Sequence, residues 1–194
     1  MKEQSLRLFI AIDIGEDIRK QMSSLTAELK NIVPGVKPVN PDIMHLTIKF
    51  LGGTDEKLVP QIIDEMKASV SGISPFTLRI AGAGAFPNPE RARVVWVGIH
   101  TDGNNALTLI KEELDKRLSR LGFEIEERDF KPHLTLARIK FPQKGDKIQN
   151  FVNKYTSQEF GTVNVANINL MQSTLLPSGA KYECIGEARL KNKS

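Results

Sequence analysis

The sequence predicts an α+β fold of two pseudo-twofold-related lobes, each an antiparallel sheet with helices on its outer face. Three observations lead there. Strand-like and helix-like segments alternate along the chain. The strand-like ones are short, bounded by Gly and Pro, and partly alternate in polarity. One pattern also occurs twice: a long amphipathic helix, a proline-bearing connection, then H-L-T-hydrophobic. It ends at His45-Leu46-Thr47-Ile48 and again at His133-Leu134-Thr135-Leu136, 88 residues apart.

The elements follow in order. Arg7–Ile12 is apolar and partly β-branched, a strand. Ile18, Met22, Leu25, Leu29 and Ile32 recur at spacings of 4, 3, 4 and 3, one face of a helix that Pro34-Gly35 ends. Pro38 and Pro41 frame a loop. In Met44–Leu51, strict alternation places His45, Thr47 and Lys49 on one face and Leu46, Ile48 and Phe50 on the other. A helix over Glu56–Val70 turns Ile62, Ile63, Met66 and Val70 inward, with Pro60 suited to its first turn. Phe76–Ile80 and Val94–Ile99 read as strands joined by a Gly/Pro-rich stretch, Gly82–Pro89. Gly82-Ala83-Gly84 in that stretch lacks the third glycine and following helix of a dinucleotide loop, so it reads as plain loop. Leu107, Ile110, Leu114, Leu118 and Leu121 make a third helical face, closed by Gly122. His133–Ile139 is a strand, 148–155 a short helix, and Thr162–Leu176 and Tyr182–Leu190 supply the last strand regions.

The chain has 194 residues, 40% hydrophobic and 26% charged, with a formal net charge of +4. That suits one bilobal domain over 1–194 and excludes global disorder, collagen and coiled coil. No apolar run approaches the ~20 residues needed to span a bilayer, so no membrane association is expected. No signal-peptide h-region precedes Asp13, and the expected compartment is the cytoplasm. A single cysteine, Cys184, excludes an internal disulfide and any multi-cysteine metal site; it reads as a small buried hydrophobe. Histidine chemistry must use His45, His100 or His133. His100, before Thr101-Asp102-Gly103, reads as a turn residue.

The paired H-L-T motifs carry the chemistry. At this composition a given histidine opens an H-apolar-T-apolar tetrapeptide less than about once in a hundred times, yet two of three do so. On a strand, residues i and i+2 share a face about 6.6–6.8 Å apart. Each His therefore projects beside its Thr, while the intervening apolar residues anchor the strand. Imidazole exchanges protons near neutral pH, and a threonine hydroxyl donates to a phosphoryl oxygen. In-line displacement at phosphorus needs a base on one side and an acid on the other. Two such strands facing each other across a cleft supply both without a metal or other cofactor.

The segments RLFIAID (Arg7–Asp13), HLTIKFLG (His45–Gly52), RVVWVGI (Arg93–Ile99), LGFEIEERDFKPHLTLAR (Leu121–Arg138) and LMQSTLLPSGAKYE (Leu170–Glu183) extend the pattern over nearly the whole chain. Together they resemble the 2H phosphoesterase superfamily, and more closely its RNA 2′,3′-cyclic phosphodiesterase family, first described as 2′-5′ RNA ligases. The resemblance implies an active-site groove between the lobes. It implies His45 as proton donor, His133 as proton acceptor, and Thr47 and Thr135 as phosphate ligands. The implied reaction opens a terminal 2′,3′-cyclic phosphate of RNA to a 2′-phosphomonoester, with weak reversible 2′-5′ ligation of tRNA halves. Separately from the resemblance, a monomer is the default expectation for the chain. The family also places an arginine five residues after the second motif histidine, here Arg138. Strict alternation puts Arg138 on the face opposite His133, so a strand end, bulge or twist must bring it in. The corresponding first-motif residue is Phe50.

Bland readings stand beside these. Either histidine could be satisfied by backbone near the core, and either threonine could be an ordinary β-former. Arg138 could pair with a neighbouring strand. Phe9 could stack a base, although core packing is the simpler expectation. Lys37, Lys49, Arg91, Arg93 and Lys131 are candidates for an RNA path, each taken singly better explained as solvated surface. Two rival functions remain: a low-turnover module that binds a cyclic phosphate or nucleotide, and a phosphodiesterase for small cyclic nucleotides or 2′-5′ oligonucleotides.

Overall fold

The computed structural model describes residues 5–101, 103–127, 129–141, 146–177 and 179–191. Arg128 and Ser178, in two of the segments above, and Asp102 lie outside the described residues.

Nine strands form two antiparallel sheets among the described residues. The chain runs β1 (Ser5–Asp13), α1 (Gly15–Ile32), β2 (Val36–Pro38), β3 (His45–Asp55), α2 (Val59–Ser69), β4 (Phe76–Phe86) and β5 (Val94–His100). It continues through α3 (Ala106–Leu118), β6 (His133–Ile139), α4 (Lys147–Tyr155), β7 (Glu159–Val165), β8 (Asn167–Leu176) and β9 (Gly179–Arg189). The first sheet has the order β3-β1-β8-β9 and the second β2-β6-β5-β4-β7. The α2 and α3 helices pack on the first sheet, and α1 and α4 on the second.

The lobes are not the two halves of the chain. Helix α1 leads into β3 of the first sheet but packs on β2, β6 and β7 of the second. Helix α3 leads into β6 of the second sheet but packs on α2 and β3 of the first. Each motif strand is thus delivered by a helix that belongs to the opposite lobe. The predicted helical faces do the packing: Ile18, Met22, Leu25 and Leu29 of α1, and Leu107, Ile110, Leu114 and Leu118 of α3, are buried. Pro60 sits in the first turn of α2, where its missing N–H costs nothing. A 3₁₀ turn over Ser119–Leu121 follows α3 and ends at Gly122 with φ 90°, a left-handed conformation that glycine adopts freely.

Four expectations need correction. The Pro38 segment is partly a strand, because β2 pairs with Ala137–Ile139 at the edge of the second sheet. Gly82-Ala83-Gly84 is strand rather than loop: β4 runs on to Phe86, with Gly82 as a bulge residue at φ 72°. Thr162–Leu176 is two strands in different sheets, β7 and β8, broken at Ala166 where the chain crosses between lobes. Cys184 is exposed. A register shift beside Leu170/Met171 pairs it with Met171, on the same face as the Tyr182–Ser173 pair rather than the helix-covered one.

Candidate active site

Strand β6 shows how the site is built. Along His133–Ile139 the burial alternates until Leu136 and Ala137, which are both buried; Arg138 is then exposed. The pairing with β5 has the matching irregularity: Thr135 faces Trp96, Ala137 faces Val95, and Leu136 has no partner. This bulge resets the alternation, so Arg138 returns to the face of His133 and Thr135.

Strand β3 repeats the device. Thr47 pairs with Ala11 and Lys49 with Ile10, leaving Ile48 unpaired. Ile48 and Lys49 are both buried and Phe50 is exposed, the same sequence of environments as in β6. Phe50 therefore joins the face of His45 and Thr47. Lys49, expected on that face, turns inward and is 1% exposed.

Both motif faces line one cavity of about 1090 Å³ between the lobes. His45, Thr47, His133, Thr135 and Arg138 are all at its wall. Of the five candidate RNA-path cations only Lys131 lines it; Lys49 is buried, and Lys37, Arg91 and Arg93 lie elsewhere. His100 ends β5 with Nε2 3.2 Å from the Ala81 carbonyl, away from the cavity.

The two histidines are held alike. Nδ1 of His45 donates to the Ile43 carbonyl at 2.9 Å, and Nδ1 of His133 to the Lys131 carbonyl at 2.7 Å. A carbonyl only accepts, so each Nδ1 carries the proton and each Nε2 is left for chemistry. Each ring also rests on aromatics. The Phe9 ring stacks against His45 at 4.6 Å, with Tyr182 edge-on at 5.1 Å. Phe86 meets His133 edge-on at 5.1 Å, and Trp96 lies 6.2 Å away. Phe9, 4% exposed, is thus buried with the imidazole it supports, as the packing expectation had it, and its stacking partner is His45.

Burial lowers the pKa of both imidazoles below the ordinary histidine value. The carbonyl bonds oppose that in each case. Arg19 lowers His45 further while Asp13, its ion-pair partner, raises it; Arg138 lowers His133. Both histidines are therefore neutral bases in the free protein near pH 7.

Sequence reasoning passed over several wall residues. Arg7, Phe86 and Tyr182 line the cavity, as do Glu126, Glu127, Asp129 and Phe130 of the segment before β6. Arg7 was visible only as part of a strand: alternation from Arg7 to Phe9 puts it on the groove side, but nothing in one strand says where the groove is. Trp96 packs closely against Gly84, since a Cβ there would lie 2.3 Å from its ring. That relation is invisible without the β4–β5 register.

The comparisons with known proteins agree with this architecture. A family model described as the AKAP7 2′5′ RNA ligase-like domain matches residues 8–190. A Methanocaldococcus jannaschii protein named RNA 2′,3′-cyclic phosphodiesterase is 38% identical over 182 residues, covering 94% of this chain and 99% of that protein. An Archaeoglobus fulgidus protein of the same name is 38% identical over 178 residues, covering 92% and 97%. Among solved structures, TT0787 of Thermus thermophilus superposes with a TM-score of 0.80 at 27% identity, over 97% of this chain and all of that one. Escherichia coli LigT, crystallised with 3′-AMP, shares the fold at a TM-score of 0.76 and 24% identity, over 97% of this chain and 100% of its own. A match of this extent, on a chain whose two bulged motif strands meet at one groove, places the protein in the 2′-5′ RNA ligase-like family of RNA 2′,3′-cyclic phosphodiesterases.

Proposed function

We propose that this protein hydrolyses the terminal 2′,3′-cyclic phosphate of RNA to a 2′-phosphomonoester, using His45 as general acid and His133 as general base. One observation carries the reading most. Two histidines from different lobes line the same cavity, each with Nδ1 tied to the carbonyl two residues upstream and Nε2 left over. That is the arrangement an in-line displacement needs.

In this mechanism His133 takes a proton from a water that attacks phosphorus opposite the 3′-oxygen. His45, protonated, gives its proton to the departing 3′-oxygen, and the phosphate stays on the 2′-oxygen. Thr47 and Thr135 donate hydroxyl hydrogen bonds to the non-bridging oxygens. The Arg138 guanidinium, returned to the groove by the β6 bulge, offsets charge building on the phosphorane. The anionic diester raises the pKa of the imidazole that faces it, which lets the acid be protonated although burial lowers it in the free protein. The chemistry draws on no metal or other cofactor.

The reading extends to tRNA fragments as substrates, to weak 2′-5′ ligation as the reverse reaction, and to one bilobal unit acting as a monomer in the cytoplasm. No helix among the described residues is long and apolar enough to cross a membrane.

The test is to incubate the protein with a short RNA ending in a 2′,3′-cyclic phosphate and, separately, with free 2′,3′-cyclic nucleotides. Phosphorus NMR then locates the phosphate. Turnover of the RNA to a 2′-phosphate supports the reading. A 3′-phosphate product overturns the assigned geometry. Turnover of mononucleotides alone transfers the assignment to a small-nucleotide phosphodiesterase, and binding without turnover to the binding module.

A further inference from the structure

The inward turn of Lys49 has a partner set on the other side of the sheet. Its ammonium donates to Asp115 Oδ1 of α3 at 2.5 Å and to the Glu124 carbonyl at 2.7 Å. Asp115 Oδ2 accepts from Lys111 at 2.6 Å, and Lys111 lies 3.3 Å from Glu126 Oε2. Lys49, Lys111 and Asp115 are all buried.

Burying two ammonium groups and a carboxylate is expensive, and an apolar triad of the same volume usually packs at least as well. Stability alone therefore explains this cluster poorly. Its position explains more. Glu124 begins the segment by which the chain leaves α3 on the first lobe and arrives at β6 on the second. Glu126, Glu127, Asp129, Phe130 and Lys131 of that segment line the cavity. Lys131 also supplies the carbonyl that holds His133. The tie starts two residues after Thr47 on the first motif strand and ends on the segment that delivers the second motif histidine. At the corresponding bulge of β6 the residue is Ala137, so only one lobe carries it.

We propose that Lys49 is a positioning residue: with Asp115 and Lys111 it anchors residues 124–126 to the underside of the first motif strand, and so sets the place of His133 and of the cavity wall relative to His45. It touches no substrate. It acts through the Glu124 carbonyl and the Lys131–His133 bond. The activity readout rests on the cyclic phosphodiesterase reading above.

Two variants test it. Lys49→Met keeps the stem and removes the donor to Glu124. The triple variant K49M/K111M/D115L removes every charge of the buried cluster, which spares the fold any unpaired buried ion but still leaves Glu124 without its donor. The expected result is a triple variant with a melting temperature near wild type, kcat about 10- to 10²-fold lower, and a smaller change in KM, as for a sub-ångström to 1 Å misplacement of a reacting group. Amide NMR shifts of residues 129–131 and 133–135, remote from all three substitutions in sequence, should move in both variants. A stable triple variant with kcat within about twofold of wild type would overturn the proposal, because a purely structural role is satisfied by the apolar core. A triple variant that does not fold overturns it too, since the charges would then be needed for folding itself. If the wild-type protein fails to open a cyclic phosphate, the activity reading falls alone, and the amide shifts of residues 129–131 and 133–135 decide the positioning.

Discussion

Gly84→Ala should damage the site from behind. Gly84 on β4 pairs with Trp96 on β5, which pairs with Thr135 on β6. A Cβ at Gly84 would lie 2.3 and 2.4 Å from two carbons of the Trp96 ring and 2.8 Å from a third. Carbon atoms rest at about 3.5–4.0 Å, so the indole must retreat by more than about 1 Å. It cannot do so alone: Phe86 packs on it at 5.0 Å, and His133 lies against both rings. Overpacking of this kind costs about 1–3 kcal/mol. In a chain of this size that is a melting-temperature loss of roughly 2–12 °C. A displacement near 1 Å passed on to His133 lowers kcat by up to about 10²-fold. Trp96 is the sole tryptophan, so its fluorescence reports the shift directly. The assay is kcat on a cyclic-phosphate RNA, tryptophan emission and thermal melting, in G84A and in a control, G53A. Gly53 lies in the other lobe and its Cβ would meet only the Ser5 hydroxyl, a movable atom, at 3.0 Å. Wild-type emission and kcat in G84A would refute the idea that Trp96 occupies the space left by Gly84 and supports His133.

Other outcomes follow from the same geometry. His45→Ala and His133→Ala should each lower kcat at least about 10²-fold, and the double variant should lose far less than the product of the two, because acid and base act as a unit; near-wild-type kcat in either single variant would remove that residue from the chemistry. Arg138→Gln should cost about 10²-fold in kcat/KM, the scale of one oxyanion donor, with little change in melting temperature since the side chain is exposed; the reverse pattern would make it structural. The kcat/KM profile should be bell-shaped and centred below the ordinary histidine value of about 6.5, since burial lowers both imidazoles in the free protein; a monotonic profile from about pH 5 to 9 rules the dyad out. The same shifts have a stability sign: the unfolded chain protonates first, so stability is full above about pH 6.5, falls as pH drops through the window down to the lowered folded values, and then levels off, as urea titrations at several pH values would show. Finally, activity should survive EDTA treatment, and a strict requirement for added Mg²⁺, Mn²⁺ or Zn²⁺ would contradict two-imidazole chemistry.

Much was legible in one dimension. The H-L-T repeat, the helical faces of α1 and α3, the limits of β6 and the role of Gly122 are local matters, set by side-chain period and by the conformations that Gly and Pro permit. The repeat singles out His45, Thr47, His133 and Thr135 and the i, i+2 rule puts each pair on one face, while their separate roles rest on the family resemblance. Tertiary structure decided what depends on pairing. The bulges at Ile48 and Leu136 leave no mark in the residue pattern, because an unpaired Ile or Leu reads like any strand residue. Yet they determine that Arg138 and Phe50 face the groove and that Lys49 turns away from it. The Gly82–Gly84 stretch reads as a loop in the sequence because its glycines answer to a bulge and to Trp96, both set by the neighbouring strand. The interleaving of the lobes was hidden for the same reason: amphipathicity says that α1 and α3 have a buried face, but not which sheet covers it. Period and turn chemistry are properties of a segment. Register, bulge and the meeting of two motif strands at one cavity arise only when segments far apart in the chain compete for the same hydrogen bonds and the same core.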